Sequence, residues 1–185
     1  VTDMEEFETI MNSHPGFVKA MWCGNAECEE KIKEIRGTKS RCIPFTDGVV
    51  YILDEKEENQ FIPDVSILCD KTKIGKNGKI YGAPDLVVEV LSRSTARRDK
   101  MEKFQAYEKA GVKEYWIVNP YERGIEVYVR KDDRLQISDV CHAWSEEELK
   151  EYEENPDQNK IAPHIKLKVS LYDDLYIDMN EIFDF

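Results

Sequence analysis

Apolar positions along this chain fall into short runs broken by turn residues, and the spacing within the runs changes from helical to strand-like near Phe45. Before that point, Met4 to Met11 and Ala26 to Ile35 are predicted as two short helices around a middle containing Gly, Asn and Pro. Beyond it, Val49 to Leu53 is β-branched and aromatic, Phe61 to Cys69 is apolar with Pro63 near its start, and Asp85 to Leu91 is almost continuously apolar. A run without alternation marks a strand buried on both faces. Thr95 to Ala110 is the clearest helix: Ser94 or Thr95 caps its start, it contains no proline, and Gly111 stands where a left-handed terminator belongs. Phe104 and Tyr107 share one face of it. Glu114 to Val118 and Ile125 to Arg130 follow as an antiparallel pair, and Ser145 to Asp157 as an exposed acidic helix ending at Asn155-Pro156. The alternation of Ile165, Leu167 and Val169 closes the pattern with a terminal apolar piece. Strand, strand, helix, strand, strand predicts an α/β (α+β) domain with a mixed sheet flanked by helices.

Length and composition agree with that expectation. The 185 residues are enough to bury a core without staples, and 41% hydrophobic residues place the chain outside the disordered class. No apolar run approaches the ~18 residues that cross a bilayer and no signal-peptide pattern opens the chain, so the expectation is a soluble, cytoplasmic protein without a membrane partner. In that compartment the five cysteines are expected as reduced thiols. A net charge of −12 argues against nonspecific coating of nucleic acid or anionic lipid. The charge is uneven, however: residues 71 to 103 hold nine cations against four anions, an excess of +5, which leaves −17 for the rest. A local cationic island is what a phosphate-binding site on an acidic protein requires.

One acid breaks the pattern. Glu89 stands inside an apolar strand with Val87 and Leu91 as its same-face neighbours. A buried charge there is costly unless paired, so it either lies at the sheet's end in an ion pair, with an arginine of the following helix as the partner in view, or holds a metal. Asp64, after Pro63 on the preceding strand, can point into the same pocket, and two carboxylates on adjacent strands suit a hard divalent cation. Lys103 lies four residues before Tyr107 on the same helix face, from where it either faces solvent or serves the attacking water and the phosphate. Asp85 is ~13 Å along the strand from Glu89, too far to share one metal, and is expected to order the loop instead.

The segments "FIPDVSILCDK", "GAPDLVVEVLSRSTARRDKMEKFQAYEKAGVKEYWIVNP" and "IEVYV" closely resemble the Uma-two family of restriction-endonuclease-like proteins, within the PD-(D/E)XK nuclease superfamily, over residues 46 to 185. The resemblance implies a restriction-endonuclease-like sheet and a Mg²⁺- or Mn²⁺-dependent DNA endonuclease in which Asp64 and Glu89 hold the metal. Where the (D/E)XK signature has lysine two residues after the acid, this chain has Leu91. The family moves that lysine to the next helix, which implies Lys103, with Asp99 and Tyr107 supporting it. Many such nucleases act as dimers, so a homodimer is within the expectation.

Residues 2 to 45, through "MEEFETIMNSHPGFVKAMWCGNAECEEKIKE" and "SRCIPF", instead resemble the C-terminal zinc-binding region of bacterial prolyl-tRNA synthetase, which divides the chain into a segment 1–45 and a nuclease domain 46–185. That resemblance implies Zn²⁺ ligands at Cys23, Cys28 and Cys42, with the fourth ligand replaced here by nuclease-like sequence; three reduced structural thiols are the alternative. The aminoacylation domain is not part of the resemblance, so aminoacyl-tRNA ligation is not expected. In the family the first catalytic strand is preceded by a helix, a place Ala26 to Ile35 is able to fill, and Glu29, Glu30 and Glu34 there are candidates for an added metal carboxylate. Two other functions stand beside the endonuclease: a nuclease fold that has lost catalysis and binds nucleic acid or protein, and a zinc-stabilised, tRNA-associated appendage.

Overall fold

The computed structural model describes residues 42–46, 49–54, 56, 59–155, 163–172 and 176–183. The helices expected at Met4 to Met11 and Ala26 to Ile35, together with Cys23, Cys28, Glu29, Glu30 and Glu34, lie outside these. Among the described residues, no helix is long and apolar enough to cross a membrane.

A six-stranded mixed sheet organises the molecule in the order β1 (Ile43–Thr46), β4 (Val65–Leu68), β6 (Leu86–Val90), β7 (Glu114–Asn119), β8 (Gly124–Lys131) and β9 (Arg134–His142). Within this sheet β6 and β7 are the one parallel pair, and the helical segment between them supplies the crossover. The long apolar run from Phe61 is not one strand. Pro63 lacks an N–H for a ladder, so the run splits into β3 (Gln60–Phe61) and β4, with Pro63 and Asp64 between them. β3 pairs with β2 (Tyr51–Ile52), which also pairs with β5 (Ile80–Tyr81), forming a small second sheet.

The two faces of the large sheet bury different things. Val65, Ile67, Leu86, Val88, Trp116, Val118, Ile125, Val127 and Cys141 face a cover built from β10 (Lys166–Lys168), β11 (Tyr176–Asp178) and α3 (Met179–Ile182), which contribute Leu167, Ile177, Met179 and Ile182. On the opposite face, Val87, Leu91, Tyr115 and Ile117 pack against α1 (Phe104–Ala110), whose Phe104 and Tyr107 share the face expected of them. A π-helical stretch, Arg98–Lys103, leads into α1, and Gly111 ends it at φ 93°, in the left-handed region glycine enters without penalty. The start is capped by Ser92 rather than by Ser94 or Thr95: Thr95 N donates to Ser92 Oγ (3.1 Å) and Ser92 N donates to Thr95 Oγ1 (3.2 Å). The acidic helix α2 (Glu146–Glu154) begins in a capping box formed by Ser145 and Glu148.

Buried polar groups fasten these layers. Asp85 orders its loop, with Cys69 N donating to Oδ2 (2.7 Å) and Lys113 paired to Oδ1 (2.7 Å). Glu114, at the start of β7, is fully buried; it accepts from Trp116 Nε1 (2.7 Å) and from the backbone N–H and hydroxyl of Ser170. Burial holds its carboxyl above the usual range, against the lowering pull of those donors. Glu114→Ala leaves the buried Trp116 Nε1 without its partner and releases the two Ser170 donors, and should destabilise the chain by about 1–3 kcal/mol for the orphaned indole. Urea unfolding followed by tryptophan fluorescence measures it.

The thiols depart from expectation. Cys42 and Cys69 form a disulfide, because the antiparallel register of Ile43 with Leu68, carried one pair further, sets them opposite each other. Cys42 is therefore not a thiolate, and the expected zinc set Cys23, Cys28 and Cys42 lacks one of its members in this state. Cys69 is equally removed as a substitute ligand. Among the described residues, Cys141 is the free cysteine.

Candidate active site

Strand register decides whether the two acids meet. β4 and β6 are antiparallel with Val65 opposite Val88 and Ser66 opposite Val87, and extending the register by one pair sets Asp64 opposite Glu89. Both acids then belong to the sheet face that carries α1, since Val87 and Leu91 of the same parity pack against Tyr107. Asp64 is fixed at the end of β4 by the next strand: Val90 N donates to its Oδ2 at 2.6 Å.

Glu89 is 1% exposed and each of its oxygens has a partner. Lys103 Nζ donates to Oε2 at 2.7 Å and Tyr107 OH donates to Oε1 at 2.8 Å. The two donors are one helical turn apart, so a single helix face closes over the acid. Lys103 also lies 2.9 Å from Oδ1 of the buried Asp99, so one ammonium serves two carboxylates. Tyr115 OH donates to the Asp99 backbone carbonyl at 3.1 Å and anchors the helix start to the sheet.

The residues offered an ion pair or a metal carboxylate for Glu89, and the ion pair is present, with Lys103 rather than an arginine of the helix as its partner. Its environment keeps the second role open. Burial, then the negative charge of Asp64, push the Glu89 carboxyl up from its ordinary 4.5 to about 8, and Lys103 offsets this only in part. Burial is the larger cause, and the lysine contact does not cancel it together with the charge of Asp64. The Lys103 ammonium is held above its usual range; burial opposes its charge, and Glu89 followed by Asp99 more than compensates. Tyr107 is held well above the phenol range by burial and by Glu89, so it stays a proton donor.

The floor is aromatic. Tyr107 packs against Phe61 (5.6 Å between centroids) and Tyr115 (5.4 Å), while Phe104 meets Tyr115 (5.8 Å) and Tyr128 (5.0 Å). Leu91, where the superfamily signature has lysine, is buried in this same cluster. A lysine head group at that position would be buried among apolar neighbours, which explains why the cation comes from the helix. At the rim, the exposed Arg98 lies over Phe61, 6.0 Å from its ring centroid, and Lys100 pairs with Glu126 at 2.7 Å. Arg93, Arg97 and Arg98 are exposed on the segment that leads to Lys103, so part of the cationic island borders the acids. Asp64, Glu89 and Lys103 are thus brought together in one place, with Tyr107 in contact with Glu89 and Asp99 in contact with Lys103.

No metal is needed to describe this geometry, but the donor set suits one. Asp64 and Glu89 offer hard carboxylate oxygens from adjacent strands, and a divalent cation would favour the ionised form of Glu89 against its burial and the neighbouring charge of Asp64.

The fold is shared with a solved structure from Anabaena variabilis ATCC 29413, described as "a putative nuclease belonging to DUF820": TM-score 0.52 over 91% of this chain and 80% of that one, at 17% sequence identity. The two chains therefore share an architecture, a mixed sheet flanked by helices. The chain belongs to the Uma2 family, described as "Putative restriction endonuclease", whose profile matches residues 30–165. A shorter stretch is similar to another group of proteins. The chain is 59% identical over 49 residues to the proline–tRNA ligase of Clostridium botulinum (strain Loch Maree / Type A3), covering 26% of this chain and 10% of that protein. With the enzyme of Clostridium novyi (strain NT) the figures are 47% over 68 residues, 37% and 12%. The chain spans about a tenth of the length of these curated relatives.

Proposed function

We propose that the protein is a metal-dependent DNA endonuclease that hydrolyses phosphodiester bonds, with Asp64 and Glu89 as its Mg²⁺ or Mn²⁺ ligands and Lys103 as its cation at the water or scissile phosphate. The observation that carries this reading is the pairing of Asp64 and Glu89 across β4 and β6 under a helix whose lysine reaches Glu89 at 2.7 Å. Membership of the Uma2 family supports it. A divalent ion held by the two acids would lower the pKa of a bound water and offset charge developing on the phosphate. The chain's own groups do the rest. Lys103 supplies a cation that can turn from the carboxylates to an incoming phosphate, Tyr107 holds Glu89 in one rotamer, and Asp99 holds Lys103 in reach when Glu89 is otherwise engaged. Exposed Arg93, Arg97 and Arg98 meet the backbone phosphates on the approach, while the remaining acidic surface keeps nucleic acid away from other faces.

Supercoiled plasmid incubated with the protein in Mn²⁺, in Mg²⁺ and in EDTA tests the proposal, with Asp64→Asn prepared in parallel as the contamination control. The expected result is nicking by the wild type with metal and none by the variant. A folded wild type that binds plasmid without cutting it in either metal would replace this reading with a binding module.

A further inference from the structure

β9 carries a feature that the carboxylate–lysine site does not use. A β-bulge lies opposite the Val127/Tyr128 step: Tyr128 pairs with Ile137 and Val127 with Asp139, which leaves Ser138 as the extra residue. The extra residue reverses the strand's parity. Before it, Leu135 packs with the α1-side cluster; after it, Cys141 packs with the opposite core, and Asp139, two residues away, shares that side. His164, just ahead of β10, meets them there, its Nε2 2.8 Å from Asp139 Oδ2. One ligand atom from each of Asp139, Cys141 and His164 lies within 4.8 Å of the other two.

We infer that Asp139, Cys141 and His164 form a zinc site on the sheet face opposite Glu89. The donor set selects the ion. A thiolate and an imidazole are poor ligands for Mg²⁺ or Ca²⁺ and good ones for Zn²⁺, which takes S, N and O donors together in tetrahedral geometry. Bonds of ~2.0–2.3 Å place tetrahedral donors ~3.5 Å apart, so the site closes when the His164–Asp139 contact opens slightly and the longest separation shortens by about an ångström. His164 is exposed, and its side chain can make that adjustment without disturbing the core. Three protein ligands leave the fourth position to water. Cys141 gives up its thiol proton on binding, and that proton passes to solvent. The bound ion clamps β9 to the segment that begins the β10–β11 cover, tying down the lid over the larger core. It is separate from the proposed catalytic metal, being three strands away from β6 in the sheet order and on the other face.

The test uses the full chain, stripped with EDTA and titrated with Zn²⁺ and with Co²⁺ as a spectroscopic probe. Five proteins are compared: wild type, the Asp64→Asn/Glu89→Gln double variant, the Cys23→Ser/Cys28→Ser double variant, His164→Ala and Cys141→Ser. The expected result is one Zn²⁺ per chain in the first three, a thiolate-to-cobalt charge-transfer band in each, and a higher melting temperature with zinc than without. His164→Ala should weaken zinc at least ~100-fold, more than the loss of an outer-shell partner does. Cys141→Ser should remove the cobalt band; because Cys141 is buried, His164→Ala decides the matter if that variant does not fold. Zinc binding unchanged in His164→Ala, zinc lost from the Cys23→Ser/Cys28→Ser variant, or no stoichiometric zinc in the wild type each overturns the inference. Plasmid nicking is scored separately in Mg²⁺, so failure of the zinc site and failure of the nuclease reading are distinguishable.

Discussion

Glu89→Gln should abolish metal-dependent nicking and leave the fold standing. Glutamine keeps the shape and can still accept the Tyr107 hydroxyl, but it brings no charge to a divalent cation. Loss of one of two metal carboxylates removes several kcal/mol of transition-state stabilisation, so cleavage should fall by at least ~10²-fold, to background in a plasmid assay. Stability moves the other way from habit. The folded-state carboxyl stands near 8 and the unfolded one near 4.5, so between these values the native state binds a proton that the unfolded state has released. The contribution of Glu89 to stability is complete below about pH 4.5 and is lost as pH rises through about 8. In EDTA, the melting temperature of the wild type should therefore decline across this window, and that of Glu89→Gln should decline less. Circular dichroism melts of the two proteins between these limits make the comparison; parallel curves would remove Glu89 as the titrating group, and full nicking by the variant would remove it from the site.

Lys103→Ala should be the more damaging substitution to the fold. Lys103 is the ammonium in contact with both Glu89 and Asp99, and neither acid is more than 1% exposed. Taking away one partner of a buried pair strands a charge in a medium that solvates it poorly, at a cost of about 3–5 kcal/mol, of which Glu89 contributes less below about pH 8, where its folded-state carboxyl already holds a proton. The melting temperature should drop by several degrees, and divalent metal should restore a share of it by supplying the missing positive charge. Turnover measured below the transition should be lower by more than ~100-fold, with metal affinity largely kept, if the lysine acts on the water or phosphate. Differential scanning calorimetry with and without Mn²⁺, followed by a cleavage time course at low temperature, separates the two effects. A variant that cuts like the wild type would make Lys103 a structural counter-ion.

What could be seen in the residues follows from how local each signal was. Glu89 was visible because an acid inside an apolar strand violates a period-two pattern, and Lys103 because it precedes Tyr107 by one helical turn and because the family resemblance implies a helix lysine where the signature position holds Leu91. That Asp64 stands opposite Glu89 was an expectation that strand register had to supply, and register depends on the excursion through Lys71–Lys73 and β5, whose path no periodicity encodes. Glu114 escaped notice because an acid at the first position of a strand is usually at its wet end; here Ser170, from a segment far along the chain, covers it. β9 was missed for a related reason. Its polar residues dilute the apolar signal, and the bulge at Ser138 breaks the alternation that would have announced a strand. β1 went unread as well, and without β1 nothing brings Cys42 to Cys69. The three donors Asp139, Cys141 and His164 come from two elements, one of them unpredicted, so their meeting is a property of the fold alone.

The π-helical stretch Arg98–Lys103 makes chain length itself a determinant of the site. Each residue of a helix turns its successor by about 100°. A wider turn of this kind takes up one residue more than an α-helical turn does, so removing Met101, which keeps every acid and every base in the sequence, would let the stretch wind as ordinary α-helix with the arginines and Tyr107 near their present faces. Removing a residue from α1 between Lys103 and Tyr107 has no such slack and would swing the cations roughly a quarter-turn away from Tyr107, while the sheet kept Asp64 and Glu89 in register. A change of length inside α1 is thus more dangerous to the architecture of this site than the loss of one residue between positions 98 and 103.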